Sequence, residues 1–241
     1  MRAILIRVGI DQTDESGNWN APCNPQTGDF VYVPIREPKP NVAGMEKRYK
    51  DFAVPALEAF SKRNKCDEPL PAHLNGERMH LDPDFENLTY GDTEKRGKKL
   101  LEFERDDLIV FFASLKSVTD NNLIYALIGL LTVKEIVRAG SIPKSEWDKN
   151  AHTRRAGLNP KDVVVRANPK SSGRLAKYIP IGELRERAYR VTNPLLIEWG
   201  GLSVKNGYLQ RSANPPLLND AERFYKWFQS QKPQLLRKNN P

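Results

Sequence analysis

The 241-residue chain carries a net charge of +8, with 39% hydrophobic and 28% charged residues. No apolar run approaches the roughly 20 residues that a membrane span needs. The two cysteines, Cys23 and Cys66, form no CxxC unit, which argues against a zinc cage or a disulfide framework and fits free thiols in a reducing cytoplasm.

In chain order, residues 1–8 are too short and too polar for a signal peptide, and 3–8 read as a buried first strand rich in branched residues. Residues 11–29 are dense in Gly, Asn, Pro and Asp and predict a loop. A second strand is expected over 30–35, ended by Pro34, Pro38 and Pro40. Over 45–63 the spacing turns helical, with Tyr49, Phe52, Ala53, Ala56, Leu57 and Phe60 on one face. Pro55 predicts a kink or a break there. After a polar connection, a short helix is expected over 93–103. Two apolar runs, 106–113 and 123–137, flank a polar turn at 117–122 and predict an antiparallel strand pair, with an interruption at Gly129. Beyond Ile142 turn residues and bases take over, with strands expected at 162–166 and 195–199. The last element is a helix at about 219–231, with Asn219 as N-cap and Phe224, Tyr225, Trp227 and Phe228 docking it onto the body. Residues 237–241 read as a frayed tail. The pattern defines one α+β domain over 1–241, with a mixed or antiparallel, barrel-like sheet, peripheral helices and long loops.

The charge is uneven. Residues 150–211 hold 12 Lys/Arg against 4 Asp/Glu, a surplus equal to that of the whole chain. A basic segment interleaved with Gly, Pro, Ser and Asn points to an anionic partner, with a phosphate backbone the commonest. Within it His152, Arg154, Arg155, Arg166, Lys170, Ser171, Ser172 and Arg174 are the candidate phosphate-binding residues. Guanidinium forks match phosphate oxygens, and small residues let backbone N–H groups approach an anion. A solvated basic loop is the simpler alternative. The GxxxxGK[ST] phosphate loop is absent. A second cluster, His80, Asp82 and Asp84, alternates along the chain, so an extended backbone would aim all three side chains one way. Such a set suits acid–base catalysis or a divalent metal, although Asp-Pro-Asp also favours a turn. Asp11 and Asp92 would join it if the fold brings them near.

Four blocks carry a family resemblance: 4–11 with 30–35; His-Leu-Asp-Pro-Asp at 80–84; 107–112 with 128–136; and Gly-Gly-Leu-Ser at 200–203. On them the chain resembles the nucleotide-modification-associated domain three family. The resemblance implies a place in DNA-modification or restriction-related systems. Residues 107–136 are also similar to the barrel core of PUA-like folds, including EVE and ASCH domains, which implies a pocket for a modified or flipped nucleotide beside a basic surface.

Two functions of different class follow. One is a module that binds nucleic acid or a modified nucleotide through the basic segment. The other is an enzyme, of hydrolase or transferase type, acting on nucleotides or modified bases through His80, Asp82 and Asp84. A protein partner with an acidic surface is a third possibility, and no membrane partner is expected. No particular cofactor is implied beyond a divalent metal.

Overall fold

The computed structural model describes residues 1–11, 19–209 and 214–240. In chain order its elements are β1 (Ala3–Arg7), β2 (Pro22–Cys23), β3 (Ile35–Arg36), α1 (Tyr49–Asn64), β4 (Met79–His80), β5 (Thr89–Asp92), α2 (Glu94–Leu100), β6 (Leu108–Ser117), β7 (Leu123–Arg138), β8 (Val163–Ala167), β9 (Gly173–Pro180), β10 (Gly182–Arg185), β11 (Ala188–Val191), α3 (Asn193–Glu198), α4 (Ala221–Ser230) and β12 (Leu235–Leu236).

The hairpin β6–β7 is the spine. Its strands pair antiparallel from Leu108↔Thr132 to Lys116↔Leu123. β6 buries both faces: Ile109, Phe111, Ala113 and Leu115 enter one core, while Leu108, Val110 and Phe112 enter another. That is why its sequence reads as a continuous apolar run. β1 lies parallel to β6 on the outer side. β7 divides its other edge, pairing β9 through Ala126–Leu130 and β8 through Val133–Arg138. β5 extends the sheet beyond β8. The result is a mixed α+β architecture around one large sheet. Among the described residues the strands form a branched sheet and no closed barrel, so the barrel expected from the PUA-like similarity is not confirmed. No described helix is long and apolar enough to cross a membrane.

β7 runs through Gly129 unbroken, with shifts of register on both sides. A Cβ there would meet the Phe85 ring at 2.5 Å. The glycine therefore lets Phe85 seat against the sheet, where it also contacts Tyr32 and Phe111 edge-on. This anchors the loop that carries His80, Asp82 and Asp84.

Other elements correct the sequence reading. Of the two alternatives at Pro55, α1 takes the single helix and not two short ones; its buried face (Tyr49, Ala53, Ala56, Leu57 and Phe60) compensates for the bond that proline removes. Residues 195–199 fall mostly in α3, opened by Pro194 in its first turn, and Trp199 is fully buried against Phe224. The N-cap of α4 is Asp220, which accepts the Arg223 N–H at 2.9 Å, not Asn219. Part of the 11–29 loop lies outside the described residues, and its later portion forms β2.

The tail is docked rather than frayed as far as it is described. β12 pairs with β9. Buried Asn239 accepts the Phe85 N–H at 2.8 Å and donates to Asp84 at 3.2 Å. Asn240 exchanges two bonds with the Tyr32 backbone. Asn239→Ala strands buried groups and should cost about 1–3 kcal/mol, read as a lower urea midpoint. Exposed Lys238→Ala should change stability by less than about 0.5 kcal/mol. Equal midpoints for the two variants would mean that the tail is not docked in solution.

A buried imidazole pair on a shared carboxylate

The short ladder β3–β4 builds the first half of the site. Ile35 pairs with His80, and the Glu37 N–H bonds the Arg78 carbonyl. Glu37, 43 positions from His80, therefore comes alongside it, with a carboxylate oxygen 2.6 Å from His80 Nδ1. Asp82 follows, joined to Pro83 by a cis peptide bond. Both its oxygens take the Gly91 N–H of β5, at 3.0 and 2.9 Å.

β5 and β8 build the second half. Asp92 pairs with Val163, so Asp162 stands at the same end of the sheet and meets His152 Nδ1 at 2.7 Å. The His152 N–H bonds Asn150 Oδ1 at 2.9 Å. Gly91 is the residue that makes room: a Cβ on it would lie 2.3 Å from His152 Cδ2.

The two halves converge. His152 Nε2 lies 3.4 Å and His80 Nε2 3.8 Å from the same oxygen, Asp82 Oδ2. The rings stand edge-to-face with centroids 5.0 Å apart. Arg155 bridges the two anchoring carboxylates, 3.0 Å from Glu37 and 3.9 Å from Asp162.

Glu37 is ionised: burial raises its pKa, but the bonds from His80 and Arg155 outweigh that and hold it down at about 2. An ionised carboxylate only accepts, so His80 Nδ1 must be the donor and its other nitrogen, Nε2, faces Asp82. Burial lowers the His80 pKa against the pull of Glu37. For His152 burial also lowers it, but bonds to Asp162 and Asp82 prevail and push it up to about 9. The two imidazoles that share this carboxylate are thus pushed in opposite directions. His80, Asp82 and His152 each present a ligand atom within 4.8 Å of the others, a set able to hold a metal ion.

These groups line a cavity of about 340 Å³, within the roughly 300–1,000 Å³ of small-molecule sites. Arg7, Arg36, Arg96 and Arg155 also face it. Arg7 pairs with Asp11 at 2.9 Å and Arg96 with Asp92 at 3.1 Å. Both aspartates foreseen as additional members are therefore near the site, each held by an arginine.

The other candidate residues lie elsewhere. Asp84 does not line the cavity. The Asp-Pro-Asp turn separates it from His80 and Asp82; its carboxylate accepts two backbone N–H groups, Asn87, Asn239 and Arg154. Arg154, only 2% exposed, sits 2.6 Å from Asp84. Arg174, 1% exposed, stacks on Phe30 and donates to its carbonyl. Arg166 pairs with Glu135 and Glu146. Ser172 is buried and accepts the Thr132 N–H, and the Ser171 carbonyl accepts the Thr132 hydroxyl. Lys170 remains exposed, and Arg211 lies outside the described residues. The expected basic face thus loses Arg154 and Arg174 to the interior. His152 and Arg155 leave the phosphate set to join His80 and Asp82. Glu37, Gly91 and Asp162 were not foreseen; 43 positions separate Glu37 from His80, and ten separate Asp162 from His152. Asp162 lay inside an expected strand.

The molecule is thus an α+β protein with a His–Asp–His centre in an arginine-walled cavity. A family model described as nucleotide modification associated domain 3 matches residues 2–234. The chain belongs to that family, whose description ties it to nucleotide modification. Neither curated proteins nor solved structures gave a match.

Two stability predictions follow from the burial. Arg154→Ala strands the buried Asp84 charge and should cost about 3–5 kcal/mol, whereas Lys170→Ala should stay within about 0.5 kcal/mol. Urea denaturation reads both, and an Arg154 variant of unchanged stability would remove the internal ion pair. Gly91→Ala should displace His152. Its imidazole N–H resonance, protected by Asp162 in the parent, should then exchange faster with water.

Proposed function

We propose that the chain is an enzyme of nucleotide modification that works on a nucleotide, or on a base exposed from nucleic acid, in the cavity at His80, Asp82 and His152. The observation that carries this is the convergence of two imidazole Nε2 atoms on one carboxylate oxygen, each ring held from behind by another carboxylate. Side chains this thoroughly oriented in a cavity suit chemistry on a bound molecule. Arg36 and Arg96 give the cavity its affinity for phosphate. Their side chains are 37% and 39% exposed, and a phosphate can share them with Glu77 and Asp92.

A second reading, binding without turnover, draws on the exposed Lys161, Lys170 and Arg187 of the basic segment. Binding through such residues weakens steeply with salt as counterions are released.

The deciding experiment incubates the protein with mononucleotides, DNA and RNA, natural and base-modified, and follows product masses by liquid chromatography–mass spectrometry. The enzyme reading expects a mass change that Asp82→Asn and His152→Gln reduce by roughly 10²-fold or more, measured at a temperature where circular dichroism shows both variants folded. Salt-steep binding with every nucleotide recovered intact would instead establish the binding reading and retire the catalytic one.

A further inference from the structure

We propose that His80 Nε2, His152 Nε2 and Asp82 Oδ2 are the protein ligands of one divalent transition-metal ion, with the remaining coordination positions open to the cavity. This deepens the function proposed above and rests on the same cavity. Its readout is metal binding, so the two can fail separately.

Geometry comes first. Metal–nitrogen and metal–oxygen bonds of roughly 2.0–2.2 Å put neighbouring ligand atoms about 3–3.5 Å apart. Asp82 Oδ2 stands 3.4 Å from one imidazole nitrogen and 3.8 Å from the other. All three residues offer a ligand atom within 4.8 Å of the others, so the set can close onto a common ion by side-chain movement toward the shared oxygen.

The supports behind the ligands match. A metal-bound imidazole almost always donates its other N–H to a carboxylate, a carbonyl or water, which fixes the ring and its tautomer. Here both rings present a carboxylate at Nδ1, Glu37 at 2.6 Å and Asp162 at 2.7 Å. Asp82 is steadied by the Gly91 N–H, and Arg155 ties the two supporting carboxylates together. With both imidazoles neutral, as ligation requires, three carboxylates meet one guanidinium in this cluster, an excess of negative charge that a dication offsets.

The donor set names the class of metal. Magnesium and calcium favour oxygen-only sites, whereas imidazole suits zinc, iron, cobalt and nickel. Three protein ligands on one side, beside a cavity of about 340 Å³, describe a site that keeps room for water or substrate and not a closed structural one.

The chain's three histidines make the test direct. Protein stripped with chelator and labelled with 15N at histidine is titrated with Zn(II). The Nε2 resonances of His80 and His152 should shift together and saturate near one equivalent, with His73 unmoved and Mg(II) without effect. Asp82→Asn should abolish the coupled shift, while Glu37→Gln and Asp162→Asn should weaken binding roughly 10–100-fold. Crystals soaked in Co(II) give a second readout that needs no variant: an anomalous peak between the two Nε2 atoms and Asp82. A response confined to His73, a peak elsewhere, or equal response to Mg(II) and Zn(II) overturns the proposal. Nucleotide turnover by chelator-stripped protein would leave the function standing and remove the metal from it.

Discussion

The shared oxygen of Asp82 is the constraint on which the site depends. Asp82 and His152 are almost fully buried and His80 nearly so. Charge in a low-dielectric interior is costly unless it is paired and hydrogen-bonded. Each neighbour answers that cost. Glu37 and Asp162 orient the imidazoles, Arg155 offsets the carboxylates, and the Gly91 N–H and the Asn150 amide donate to Asp82. These residues come from β4, β5, the segments just after β3 and β4, the 150–155 loop and the approach to β8. Two separate pairings, β3–β4 and β5–β8, must therefore form in register before the site exists.

The same reasoning explains where the arginines went. Segregated charge along a chain does not guarantee segregated charge in space. Arg154 finds Asp84 seventy positions away, and Arg174 covers Phe30 and satisfies a main-chain carbonyl. Both serve as internal struts. The cavity keeps Arg155 from the basic segment and draws Arg7, Arg36 and Arg96 from remote parts of the chain.

What the sequence disclosed follows from the range of each interaction. The β6–β7 pair was legible because its apolar runs and turn are local, and the inner face of α1 because helical spacing is local. His80 and Asp82 were legible through their alternation, which extended backbone preserves for a few residues. Asp84 was not, because the Asp-Pro-Asp turn ends that alternation and aims its carboxylate at Arg154. Residues 195–199 looked like a strand because a short apolar run fits either state; Pro194 was the helix-start signal. The anchoring roles of Glu37 and Asp162 had no local signature, since strand pairing with distant segments creates them.

The docked C-terminus extends this logic to the far side of the site loop. Asn239 binds Phe85 and Asp84, Phe85 rests over Gly129, and Asp84 holds Arg154. The loop is thus clamped from behind by the tail and from below by the sheet, while its front edge carries Asp82 toward the two imidazoles. A loop of this length would otherwise sample many orientations, and ordering it costs entropy at every residue. Asp84 and Asp82, two positions apart, divide the labour. One fastens the loop to the body, and the other is left to face the cavity.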